Sequence, residues 1–174
     1  MSTEALDGRL ILLVAKDGTR EPRFQVSGTS LITAQVFDLD VEGLKPGDER
    51  TFDAGVLGFP LESLSELPTG EYTVQALLHK YETFHLASGH TVKLPMDRGE
   101  GQQWNAAPGN LYSTPQKIRW DGKGVVRIVL DKVIPPIPDP PETTYVKHVK
   151  IRSERLSKFW GRDMPRPPWP RYNT

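Results

Sequence analysis

The run Leu67-Pro68-Thr69-Gly70-Glu71-Tyr72-Thr73-Val74-Gln75-Ala76-Leu77-Leu78-His79 constrains this chain more than any other. Proline and glycine set a turn, and strict alternation follows. Tyr72, Val74, Ala76 and Leu78 fall on one face. Glu71, Thr73, Gln75 and His79 fall on the other, with Leu77 the apolar exception. Successive side chains of a strand point to opposite faces, so period two over this length predicts a half-buried β-strand over Glu71–Lys80. A tyrosine just after the turn into such a strand is where β-sandwiches place a tyrosine corner, its hydroxyl bonding back to upstream backbone. The expected acceptor lies near Leu67 or Glu66.

Other stretches repeat the pattern. Leu10–Ala15 reads as a strand buried on both faces, and Ser30–Leu39 as a second strand. Arg50–Val56 is a shorter one around Phe52. Leu61–Leu67 has apolar spacing of three, which suits a single helical turn. His90–Met96, Gln116–Trp120 and Val125–Val133 alternate again, the last two separated by the glycine-rich turn Asp121-Gly122-Lys123-Gly124. Seven or eight short strands between Pro, Gly and Asp turns, with no convincing amphipathic helix, predict an all-β fold. The expected form is an immunoglobulin/fibronectin-like antiparallel β-sandwich, with a β-barrel as the alternative.

Residues 135–141 contain five prolines, each lacking a donor, and predict a stiff spacer. The expected organisation is a sandwich over 1–134, a Pro-rich linker over 135–142, and an irregular tail over 143–174. Within that tail Thr143–Ile151 reads as one further strand, Arg152–Trp160 is amphipathic at best, and the end is expected to be disordered.

The charge balance narrows function. The chain has 22 Lys and Arg against 22 Asp and Glu, so it lacks the basic footprint of a nucleic-acid binder. It has no cysteine, which removes disulfides and thiolate chemistry. No apolar run reaches the ~20 residues that span a bilayer. The acidic start Met1-Ser2-Thr3-Glu4 has no basic n-region, so the sequence as written carries no secretory signal. A cytoplasmic setting is the default expectation, or a periplasmic or secreted one if the start is truncated.

No catalytic motif emerges. Gly28-Thr29-Ser30-Leu31-Ile32 lacks the second glycine of a nucleophile elbow and precedes a strand. His79, His85 and His90, with Asp97 beyond, are spaced six and five apart and match no compact metal motif. No metal or other cofactor is expected. Residues 97–114 have no periodicity, and a connection this long is often functional. Its Trp104, Asn105, Asn110 and Tyr112 combine aromatic faces with amides, the groups that hold a sugar ring. The plainer reading is an Ω-loop whose Trp104 and Leu111 plug the end of the domain while its amides satisfy its own backbone.

Several stretches carry a resemblance. They are Asp40–Gly47, Leu67–Tyr72, and the run from His90–Leu94 through Gly101–Asn105 to Pro108–Tyr112, followed by Leu130–Ile137, Tyr145–Ile151 and Leu156–Arg162. Together they resemble the N-terminal region of bacterial proteins assigned as esterases, in which a β-rich domain precedes an α/β-hydrolase domain. The resemblance implies that 143–162 leads into a hydrolase domain as its first strand. It departs after Asp163-Met164, where the chain turns to proline-rich sequence, and it matches no catalytic residue. It therefore implies a non-catalytic accessory domain, not an enzyme by itself, with a hydrolase domain in cis or in trans as its partner. Whether the chain is a fragment or a solo version stays open. The alternative is a stand-alone carbohydrate-binding or protein-interaction module. Neither nucleic acid nor membrane is expected as a partner.

Overall fold

One long strand organises the molecule. The computed structural model describes residues 4–30, 32–138, 141–147, 149 and 151–166. Strands β1 (Leu6–Ala15), β2 (Gln35–Leu44), β3 (Gly58–Phe59), β4 (Gly70–His85), β5 (Thr91–Pro95), β6 (Leu111–Tyr112), β7 (Gln116–Trp120) and β8 (Lys132–Val133) join in one sheet. Every pairing is antiparallel. The path runs β3-β2-β1-β4-β6-β8, with β5 and β7 also paired to β4. Val74 of β4 pairs with Val14 and with Gln116, and Leu77 pairs with Ile11 and with Tyr112, so both edges of β4 are occupied there.

Both faces of the sheet are covered, mostly by irregular chain. On one face Leu10, Val14, Phe37, Val41, Tyr72, Val74 and Leu78 meet Phe52, Val56, Leu61 and Leu64 from the β2–β4 connection, and Ile128 and Leu130 from the stretch after β7. On the other, Ile11, Leu13 and Leu77 meet Trp104, Tyr112 and Ile134. This explains why Leu10–Ala15 is apolar throughout and why Leu77 interrupts an otherwise polar face. Burying apolar surface on both sides stabilises the sheet by about 25 cal/mol per Å² removed from water.

The tyrosine after the turn is buried, and its hydroxyl donates to the Pro68 carbonyl at 2.8 Å, one residue beyond the expected Leu67. Tyr72→Phe leaves that carbonyl without its donor and is expected to cost about 1–2 kcal/mol in urea unfolding. An unchanged midpoint would refute the structural role of this contact.

Several boundaries differ from the sequence expectation. The second strand is Gln35–Leu44, not Ser30–Leu39. Ser27 and Ser30 hydroxyls accept backbone N–H groups of Thr29, Ser30 and Ile32, holding that stretch in turns. Arg50–Val56 forms no strand, and Val125–Val133 pairs only through β8. The long loop includes β6. At 143–147 no strand forms, because the Thr143 hydroxyl takes the N–H groups of Tyr145 and Val146 in a local turn. His148 and Lys150, within the expected strand, lie outside the described residues.

The stretch read as amphipathic at best is a helix, α1 (Glu154–Trp160). Ser153 caps it by accepting the Leu156 N–H, and Gly161 ends it in the left-handed conformation at φ 66°. Ile151–Arg152 (β9) and Pro165–Arg166 (β10) pair across its base. Over 151–166 the tail expected to be irregular makes specific contacts. Trp160 packs edge-on against Phe84 with centroids 5.2 Å apart, and the Phe159 carbonyl accepts the Ala87 N–H at 3.1 Å. A Cβ at Gly161 would stand 2.6 Å from the His85 carbonyl oxygen, so only glycine lets the helix end approach β4 this closely. The expected disorder over 167–174 lies outside the described residues.

Candidate functional site

The long loop is tied to the sheet by its own polar groups. Trp104 is half-buried, its ring packed with Ile11, Leu13, Leu77 and Ile134. Asn110 is 2 % exposed. Its Oδ1 accepts the Lys80 N–H at 3.0 Å, and its Nδ2 donates to the Trp104 carbonyl at 2.8 Å. Asn105 Nδ2 donates to the Arg23 carbonyl at 3.0 Å. Tyr112 packs in the same apolar cluster as Trp104 and lends its ring to the Arg23 guanidinium, 4.4 Å from the centroid. Trp104 and Tyr112 are thus brought together, while the two amides turn to separate backbone partners. This is the bonding of a plug.

Sequence reasoning missed the polar network beneath the loop. Glu21, Arg23 and Gln75 converge on the face that carries Leu77. Gln75 has no solvent exposure. Its Oε1 accepts the Arg23 N–H at 3.1 Å, and its Nε2 donates to Glu21 at 2.9 Å and to the Ser113 carbonyl at 3.0 Å. The Arg23 Nε donates to Glu21 at 2.7 Å, and Nη1 donates to the Asn105 carbonyl at 2.8 Å. Its guanidinium stacks between Phe24 and Tyr112, 4.4 Å from each ring. Burial opposes the charge on Glu21, but hydrogen bonds from Gln75 and Arg23 outweigh it and hold the carboxyl below its ordinary range. The one available signal was Leu77, whose place among polar residues showed that this face is not solvent.

A second cluster fastens α1. Glu82 accepts Arg162 Nη1 at 2.6 Å and is also bonded by Arg98. The Arg162 guanidinium lies 4.6 Å from the Phe84 ring centroid, and its Nη2 meets the Met96 sulfur. Here too burial opposes ionisation, and the two arginines overcome it and lower the Glu82 pKa. Nearby is a space of about 10 Å³ lined by His79, Lys80, Met96, Arg98, Pro108 and Asn110, room for about one water. Burial lowers the pKa of His79 there.

The lowered glutamates give a sign for acid stability. A carboxylate whose folded pKa lies below its unfolded one stabilises the fold at pH above the unfolded value and loses that contribution as pH falls through the folded value. The ordinary glutamate value is 4.5. We expect the melting temperature to fall as pH drops below that value, and expect Glu21→Gln and Glu82→Gln to flatten the fall. Variants with an unaltered acid limb would contradict this.

Candidate chemistry elsewhere is sparse. His85 Nδ1 bonds the Thr91 hydroxyl at 3.0 Å, and His90 Nδ1 lies 2.9 Å from the Ser88 hydroxyl. Ser88 and His90 are both exposed, on the turn between β4 and β5. A serine–histidine pair activates a nucleophile when a third group orients the base and donors face the developing oxyanion. Among the described residues no such group bonds His90. No group of three His, Asp or Glu side chains among them is placed to hold a metal. No helix among them is long and apolar enough to cross a membrane.

The C-terminal segment carries a run of exposed apolar groups. Tyr145 is 96 % exposed, and Val146, Val149, Ile151, Leu156 and Phe159 are also exposed. Beside α1 a depression of about 380 Å³ is lined by Arg152, Glu154, Ser157, Lys158, Arg162 and Asp163. Such apolar groups close together in a short segment mark an interaction surface more often than isolated ones do. No family model, no curated protein and no solved structure matches this chain.

Proposed function

We propose that the chain is a non-catalytic, immunoglobulin-like β-sandwich accessory domain, and that it holds a hydrolase domain through residues 145–159. The observation that carries this reading is the exposed apolar run Tyr145, Val146, Val149, Ile151, Leu156 and Phe159. It lies where the resemblance to bacterial esterases has the chain enter the hydrolase domain. The Tyr72–Pro68 hydrogen bond supports the sandwich assignment, since it has the form of a tyrosine corner. The α1 anchor on β4 fixes where the segment leaves the sheet, so an attached domain has a defined orientation. A carbohydrate-binding role draws less support, because the Asn105 and Asn110 amides already bond backbone.

The test mixes the chain with the isolated hydrolase domain of one of the esterases it resembles. Calorimetry is expected to show binding that Val149→Asp with Ile151→Asp abolishes. The chain alone is expected to leave short p-nitrophenyl esters at their background rate of hydrolysis. No binding to the hydrolase domain, or esterase activity lost on Ser88→Ala, would overturn the reading.

A further inference from the structure

The sheet has an open edge. On its outer side β2 pairs with β3 only at Val36 and Phe37. From Asp38 to Leu44 no strand among the described residues lies against that side. From Asp38 to Val41 this stretch is laddered to β1 on its inner side, and after an irregularity at Glu42–Gly43 the ladder resumes at Leu44, so its conformation is largely set. Unpaired backbone N–H and C=O groups on a preformed strand are a template for another strand.

The edge is acidic. Asp38, Asp40 and Glu42 project from one face of β2, with Asp7 beside them. Arg9 answers Asp38 and Asp40, and Lys93 answers Asp7 and Glu42. Four carboxylates therefore face two cations. On the other face Leu39 and Val41 belong to the core.

The complementary segment is in the same sequence. Of the 22 Lys and Arg residues 8 lie beyond residue 142, against 2 of the 22 Asp and Glu, so the remainder has a net charge of −6 and the tail +6. Tyr145–Arg152 is about as long as the open edge, and it alternates. As a strand it would place Tyr145, Val149 and Ile151 on one face, with Lys147 among them, and Arg152 on the other. Exposed Tyr145, Val149 and Ile151 match the apolar side of β2, and Arg152 falls on the side of its carboxylates. In its own copy this segment ends in β9, one side of which pairs with β10, and continues into α1, which is docked on Phe84.

We propose that the free edge of β2, Asp38–Leu44, accepts residues 145–152 of a second copy as an added strand. The head-to-tail contact uses charge to select its occupant, since an acidic edge repels a copy of itself and admits a basic strand. This is separate from hydrolase docking, which requires the tail but not the edge.

Sedimentation velocity on the full chain tests it. Wild-type protein is expected to associate with rising concentration, more strongly at low salt. Asp38→Lys with Asp40→Lys is expected to weaken association at least about tenfold, by setting like charges together. Arg152→Glu in the tail should weaken it in the same direction, and the three changes together should restore it. Hydrogen exchange gives a second readout: amides of Asp38–Leu44 should gain protection as wild-type concentration rises. A chain that stays monomeric, association indifferent to the edge variant, or no rescue in the combined variant would each overturn the proposal. The edge variant should still bind the hydrolase domain, so failure of one reading is distinguishable from failure of the other.

Discussion

Phe37→Ala is expected to destabilise the protein by about 3–5 kcal/mol, the range for a large aromatic removed from a packed core. Phe37 has no exposure and packs with Val14, Leu67, Tyr72 and Val74. The site has little room to collapse. The backbone of β3 lies directly on the ring: a Cβ added at Gly58 would sit 2.3 Å from Phe37 Cδ1. Gly58 is also held by its N–H to the Glu62 carbonyl at 3.1 Å and by its pairing to Phe37. A fixed backbone cannot follow the shrinking side chain, so the cavity stays open. Urea unfolding gives the number directly, and a loss under about 1 kcal/mol would show that the β2–β4 connection repacks freely.

Gln75→Leu is the other large effect, expected at about 2–4 kcal/mol. Leucine nearly fits the volume, so the loss is one of bonding. The Arg23 N–H loses its acceptor, and Glu21 and the Ser113 carbonyl each lose a donor. The Arg23 N–H and the Ser113 carbonyl stay at a face closed to water, where an unpartnered polar group costs more than the bond it once made was worth. Glu21 also keeps a charge that burial opposes, with Arg23 left to hold it. Thermal unfolding measures the total. Exchange of the loop amides separates the parts, because Asn105 and Ser113 should open before the sheet does. A variant as stable as wild type would mean that water enters this network and replaces the glutamine.

The strands that could be read from sequence are those whose burial and pairing coincide. β4, β5 and β7 alternate and are laddered; period two located β5 and β7 to within a residue and caught β4, but ended it at Lys80, five residues short of His85. Val125–Leu130 also alternates, and its burial follows the alternation: Val125 and Val129 are exposed while Ile128 and Leu130 pack on the core. Yet it forms no ladder. Phe52 and Val56 do the same in the other covering segment. Periodicity reports which side chains meet the core, a local property. A ladder needs a neighbour, and that is decided elsewhere in the chain. The candidate site was unevenly visible for a similar reason. Trp104 stood out by its type. Gln75 was assigned to solvent because its face otherwise looks polar, and only the fold reveals the loop that closes over it.

The central position of β4 has a kinetic side. Leu10 of β1 faces Leu78, 68 residues further on, so the sheet assembles from contacts remote along the chain. Such topologies fold slowly, since a long loop must close before its contacts stabilise anything. During synthesis the apolar Leu10–Ala15 leaves the ribosome well before its partner in β4, with only β2 to pair with in the interval. The nascent chain therefore carries an uncovered strand for the time it takes to add those residues, and that interval is when chaperone binding or aggregation competes with folding.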